Sequence, residues 1–360
     1  MVALIAGLLV GGAADGGPGR GGGEARSQAE PERSAVAAVD RLSLREQVGH
    51  VLISSFDEPA APDYIRRRLR ARETAGVILF ARNGGPQDHW RSLTRSLQRE
   101  AGGVALIMVD QEGGPVRTVS FAGPAAGQPF QGGPPAVELA AREAGRELRS
   151  VGVNVNLAPV ADVAAPGSAL GPRAFAGDAS AVAASARSSI RGMREARVGA
   201  TAKHFPGLGA SPVNTDDASV TLDIDRATMD ERELPPFQAA IAERVPLVML
   251  SHALYAALDG ESIASQSSAI VSGLLRGELG FEGVIVTDSI EAQAVLDRSG
   301  VAEAAERSIE AGVDLVLMTG SASWNEVFPR LLERARESSA FRRRVRESAA
   351  RVLELKRLLR

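Results

Sequence analysis

The residues best equipped for chemistry lie between Thr201 and Asp217, in the stretch TAKHFPGLGASPVNTDD. Lys203 and His204 stand side by side at the end of a β-prone run. The Pro/Gly-rich loop that follows cannot continue as helix, and it finishes in Asp216 and Asp217. Other apolar runs end in the same kind of side chain: Asp110 in DQEGG, Asp162 in NLAPVADV, His252 after Ser251, and Asp288 in VTDS, with Arg173 in the loop segment GPRAFAGD. Such a set of carboxylates, guanidinium, ammonium and imidazoles is suited to holding a sugar's hydroxyls by several hydrogen bonds at once. Each residue taken singly has an ordinary reading. Lys203 and His204 could be solvated charges at a strand exit, and Asp288 could be the N-cap of a helix starting at Ser289-Ile-Glu-Ala. A metal site built from His204, His252, Asp110 and Asp288 is disfavoured, because Lys203 would repel a divalent cation and no His-x-x-x-His spacing occurs.

Something rigid must bring these residues together. Short runs rich in Val, Ile and Leu recur at 51–53, 77–80, 104–109, 153–157, 198–202, 247–250, 284–286 and 313–318. They lack polar alternation, as strands covered by helices on both faces do, and helical patterns separate them. Eight such units predict an α/β fold, a single (β/α)₈ barrel whose site lies at the C-terminal ends of its strands. A doubly wound open sheet is the alternative, weakened by the lack of a Gly-x-Gly-x-x-Gly after the first strand. Ser43 with Glu46 predicts a capping box. Leu234, Phe237 and Ile241 fall on one helical face, as do Phe341, Val345, Val352, Leu355 and Leu359.

Composition narrows the partners. The chain has 360 residues, 44% of them hydrophobic, a net charge of -3 and no cysteine. Disulfides, thiolate metal sites and a lipid-anchoring Cys are excluded. Without a basic excess, nucleic acid is not the expected partner, and a small saccharide substrate fits better. No membrane span is expected in the mature domain, and a monomer is expected. Residues 2–9 have the length of a signal-peptide core without its basic n-region, and Ala/Gly-rich low complexity accounts for them equally. Gly, Pro, Arg and Glu dominate from Asp15 to Ser34, so residues 1–36 read as a signal-like segment with a flexible tether, and residues 37–360 as the barrel. A secreted or cell-envelope location follows from that reading.

The motifs DQEGG, NLAPVADV, RAFAGD, KHFPG, ELPPF and GFEGVIVTDS occur in this order. On them, from Leu42 to Arg360, the chain resembles the catalytic barrel of glycoside hydrolase family 3, above all its single-domain β-N-acetylglucosaminidase branch. The resemblance implies that Asp288 is the nucleophile and that Asp110, Arg173, Lys203 and His204 grip the glycone. It implies a retaining hydrolase of terminal β-linked N-acetylglucosamine in cell-wall-type glycans, working without a cofactor. A β-glucosidase or β-xylosidase of the same family is the alternative enzyme.

One loop departs from the pattern. The branch carries KHFPGHG and, farther on, an Asp-Ser/Thr-His whose Asp-His pair supplies the general acid/base; here Leu208 and Asn214-Thr215-Asp216 occupy those places. Either Asp216 takes over as acid/base, its pKa raised by Asp217 and Asp288, or the chain is a catalytically impaired saccharide-binding barrel. Asp162, Asp217 and His252 are expected to stand behind the residues that touch substrate.

Overall fold

The computed structural model describes residues 37–103 and 105–360. Eight parallel strands form a closed barrel: β1 (Leu52–Ser54), β2 (Gly76–Ile78), β3 (Leu106–Val109), β4 (Val155–Asn156), β5 (Gly199–Phe205), β6 (Leu247–Leu250), β7 (Val284–Ser289) and β8 (Leu315–Leu317). They neighbour one another in chain order, and β8 pairs with β1 through Leu52↔Val316 and Ile53↔Leu317. That last pairing closes the sheet and removes the open-sheet alternative. The predicted tether and signal-like segment, and residue 104 at the start of the third apolar run, lie outside the described residues.

Alternation along the strands sorts side chains into two cores. Ile53, Ile78, Leu106, Met108, Val155, Leu157, Leu247, Met249, Val284, Val286, Leu315 and Leu317 make the inner one. Val77, Leu79, Ile107, Val109, Val248, Leu250 and Ile285 point outward against the helices. Charged side chains enter the sheet only at its C-terminal end. There β5 and β7 run farther than their apolar stretches, so that Lys203, His204 and Asp288 are strand residues rather than loop residues.

Local signals are realised in the helices. Ser43 caps Leu44–Gly49, accepting from Glu46 N while the Glu46 carboxylate accepts from Ser43 N at 2.8 Å. Helix Leu234–Ala242 buries Leu234 and Phe237, and Phe237 meets Phe205 of β5 edge to face at 5.2 Å. The last helix, Ser339–Leu358, buries Phe341, Val345, Val352 and Leu355. Leu359, just beyond it, packs beside Gly199 and Leu247 and so closes the barrel's N-terminal end. Asp314, fully buried before β8, fixes this helix in place by accepting from Arg344, Arg351 and Ser348, and from Ile285 N. Among the described residues no helix is long and apolar enough to cross a membrane.

The same helix carries an energetic liability. Lys356 is buried, has no carboxylate within ion-pair distance among the described residues, and is depressed to about 7 by burial and by Arg72. Its folded pKa lies below its unfolded value, so folding releases a proton between about pH 7 and 10.5 and stability rises with pH across that window. Lys356→Met is therefore expected to raise Tm by several degrees at pH 7 and to flatten that slope. Thermal melts of both proteins across the window test this.

Candidate active site

The strand ends surround a cleft of about 750 Å³ whose wall includes Asp110, Arg173, Lys203, His204, Asp216 and Asp288. Its floor is apolar, formed by Ile78, Leu157, Met249 and Leu317. Two adjacent strand residues normally face opposite sides. The register between β5 and β6 shifts between Ala202 and Phe205, and this irregularity turns both Lys203 and His204 toward the cleft.

Glu112 holds the site together, and it escaped the sequence reading. Lys203 Nζ lies 2.6 Å from Asp110 Oδ1 and 2.7 Å from Glu112 Oε1. Arg173 donates to the same Glu112 through Nε at 3.0 Å and Nη2 at 2.7 Å. The Glu112 side chain is 1% exposed and that of Lys203 3%, so both charges are nearly out of water. Burial alone would raise Glu112, yet Lys203 and Arg173 overcome it and hold the carboxyl at about 2. Burial would likewise lower Lys203, but Asp110 and Glu112 raise it, so the ammonium persists. The signal was there in DQEGG: 110 and 112 alternate with 111, and the short hairpin strand Gln111–Gly113 extends that alternation beyond β3.

His204 is oriented from behind. Its Nδ1–H donates to Asp162 Oδ2 at 2.7 Å, and Asp162 also accepts from Leu208 N at 2.6 Å. The opposite ring nitrogen, Nε2, stands 3.8 Å from Asp288 Oδ2. His252 does not line the cleft; it bonds Ser265 Oγ at 2.7 Å and the Ser289 carbonyl at 2.9 Å. Burial lowers its pKa, and its Nε2–H donates to Ser289 O and fixes the backbone next to Asp288. Both nitrogens of His252 and the Nδ1 of His204 are thus engaged in hydrogen bonds. Among the described residues no group of three His, Asp or Glu is placed to hold a metal ion.

Asp288 and Asp216 face the same cleft in different surroundings. For Asp288 burial acts upward, but His204, His252 and Lys203 outweigh it and lower the pKa. Ser289 N also donates to its Oδ1 at 2.8 Å. Asp216 stands at the rim, where its carboxylate accepts from Asn214 Nδ2 at 3.0 Å. Its pKa is raised, first by burial against the cleft wall and then by the charge of Asp288. Asp217 is exposed and outside the cleft lining, so the part expected for it in raising Asp216 falls to burial and Asp288 instead. Leu208 is fully buried in the turn, where its backbone N–H serves Asp162.

Comparison with known proteins agrees with this geometry. The Glycosyl hydrolase family 3 N terminal domain matches residues 43–355. A beta-hexosaminidase of Xylella fastidiosa (strain M12) is 35% identical over 264 residues, covering 69% of this chain and 77% of the relative. One of Stenotrophomonas maltophilia (strain K279a) is 36% identical over 267 residues, with the same two coverages. The structure of a family 3 beta-N-acetylglucosaminidase from Paenibacillus sp. str. FPU-7 superposes with a TM-score of 0.83 at 33% identity, over 88% of this chain and 63% of that one. A beta-N-acetylhexosaminidase from Beutenbergia cavernae DSM 12333 gives 0.80 at 34% identity, over 88% and 98%. With a closed barrel, a charged cleft at its C-terminal mouth and a match running almost from end to end of the described residues, the chain belongs to glycosyl hydrolase family 3 and is a glycosidase.

Proposed function

We propose that the chain is a retaining β-N-acetylglucosaminidase that removes terminal β-linked N-acetylglucosamine from cell-wall-type glycans. The observation that carries the mechanism is the opposed displacement of two carboxylates in one cleft, Asp288 downward and Asp216 upward. A retaining glycosidase needs one ionised carboxylate as nucleophile and one protonated carboxyl as acid. The N-acetylglucosamine specificity is supported by what the similar proteins are named for. The domain partition, with residues 1–36 as leader and tether, and an extracytoplasmic location belong to the same proposal.

In this mechanism Asp110, Lys203, Arg173 and His204 bind the glycone hydroxyls. Asp288 attacks the anomeric carbon as Asp216 gives its proton to the glycosidic oxygen, and the C–O bond to the leaving group breaks. Asp216, now ionised, takes a proton from water, which attacks the glycosyl ester and releases the sugar with retention. His204, with Nδ1 bound to Asp162, keeps Nε2 toward the nucleophile and the sugar beside it.

Asp288→Asn is expected to abolish turnover while leaving Tm nearly unchanged, and a fluorinated glycoside inactivator should label Asp288 in the wild type; full activity in the variant removes it from the mechanism. Asp216→Ala should impair disaccharide hydrolysis far more than aryl glycoside hydrolysis, and azide should restore part of the lost rate. Equal, small effects on both substrates would set Asp216 aside. Glu112→Gln should lower kcat/KM by about 100-fold or more, because two buried cations lose their shared counter-charge. Unchanged kinetics in a folded Glu112→Gln protein would show that the clamp does not depend on that charge.

A further inference from the structure

The ELPPF segment has no part in the chemistry described so far, yet its first residue lies directly beneath the turn that joins His204 to the Asp216 loop. Glu233 is completely buried. Its Oε1 accepts from Arg232 through Nε at 2.8 Å and Nη2 at 2.6 Å, while Oε2 is buried with no hydrogen-bond partner. Gly207, with φ 130°, sits against it: a Cβ there would lie 2.5 Å from Oε2. From the other side Tyr255 Oη donates to the Gly207 carbonyl at 2.8 Å and bonds Ser251 Oγ at 2.9 Å. The next residue, Leu208, donates its N–H to Asp162, the carboxylate that orients His204. The turn is therefore held between two buried carboxyl groups, Asp162 and Glu233.

We propose that Glu233 is a positioning residue that holds the Pro206–Leu208 turn, and through it His204 and the Asp216 loop, as a neutral carboxylic acid, and that its ionisation displaces the turn. The charged and titratable groups facing it are Arg232 on its own segment, Asp162 beyond β4 and Tyr255 beyond β6. Arg232 reaches only Oε1. An anionic Oε2 would be a second buried charge near Asp162 without a counter-charge or hydrogen bond, whereas a hydroxyl there is a far smaller penalty. Burial accordingly raises Glu233 to about 7, against the lowering effect of Arg232. This inference rests on the glycosidase reading and on His204 as a sugar-binding group, and it is independent of whether Asp216 is the acid.

The test is kcat/KM for an aryl β-N-acetylglucosaminide with a good leaving group, whose departure needs no proton, across about pH 5 to 9 in wild type, Asp216→Ala and Glu233→Gln. An alkaline limb near pH 7 should appear in wild type, persist in Asp216→Ala, and move up by about one pH unit or more in Glu233→Gln, which should stay within about twofold of wild type at low pH. A limb that stays in place in Glu233→Gln, or a loss equal at every pH, overturns the proposal. Failure of the Asp216 assignment is read separately, from the leaving-group dependence of Asp216→Ala. Thermal melts give a reading that needs no turnover. With a folded pKa above the unfolded one, wild-type stability should fall as pH rises from about 4.5 to 7, and Glu233→Gln should lack that slope. Should Glu233→Gln not fold, infrared spectra of Asp216→Ala should show a buried protonated carboxyl that disappears on alkalinisation; its absence at low pH overturns the proposal.

Discussion

The site depends on one buried carboxylate shared by two cations. Lys203 and Arg173 come from different parts of the chain, β5 and the loop beyond β4, and Glu112 accepts from both while Asp110 accepts from the ammonium. Like charges so close would repel by several kcal/mol in a poorly solvated cleft. With Glu112 and Asp110 between them the opposite charges of the cluster balance, and Lys203 Nζ and Arg173 Nε and Nη2 each have a carboxylate partner. In the proposed mechanism a sugar then meets donors and acceptors that are already aimed, so little reorganisation is needed on binding. The arrangement also removes freedom from the loop bearing Arg173, since a bidentate guanidinium bond fixes direction as well as distance.

Electrostatic asymmetry follows from what surrounds each carboxyl group. Asp288 lies among Lys203, His204 and His252, at the end of a strand, and is held in its ionised form. Asp216 lies at the rim with only a neutral amide, Asn214, as hydrogen-bond partner, and experiences Asp288 as a repelling charge. Two chemically identical groups therefore have their pKa values moved in opposite directions through position alone. Asp162 adds a separate constraint: by accepting from His204 Nδ1 it decides which imidazole nitrogen faces Asp288.

Much of this was legible in the sequence because strand ends in a barrel are geometrically equivalent. Asp110, Lys203, His204 and Asp288 each follow an apolar run, and closure of β8 on β1 brings them to one mouth. Arg173 and Asp162 were legible only as polar residues within recognisable loop motifs. Glu112 was not found, since a carboxylate beyond a strand end reads as solvated until the partner cations are in place. Nor could sequence show that Asp217 faces away from the cleft while Asp216 faces into it, because that is a matter of loop conformation and not of residue type. Glu233 appears in the sequence only as the first residue of ELPPF, and the π-helical turn Met229–Glu233 places it, fully buried, against Gly207.

In the proposed mechanism a carboxyl at position 216 takes the part of an imidazole, and this changes what the loop must do. A histidine titrates near neutrality by itself, whereas an aspartic acid must be kept close to a negative charge and partly out of water to hold its proton. The backbone of this loop meets that need. Gln293 N donates to Asp216 O and Ala294 N to Thr215 O, each at 3.1 Å, tying the loop to the segment that follows Asp288. Ala165 N to Gly209 O at 2.8 Å and Ala169 N to Ser211 O at 3.0 Å fasten its other end to the β4 side of the barrel. Because the anchors of Asp216 lie on the same strand exit as Asp288, the two carboxyl groups cannot drift apart without breaking backbone hydrogen bonds. The repulsion that raises the Asp216 pKa is thus built into the fold, and in the proposed mechanism it weakens as the Asp288 charge is consumed in the glycosyl ester. At that stage of the proposed mechanism Asp216 has given its proton to the leaving group, and loss of the Asp288 charge moves its pKa down, the direction a base requires.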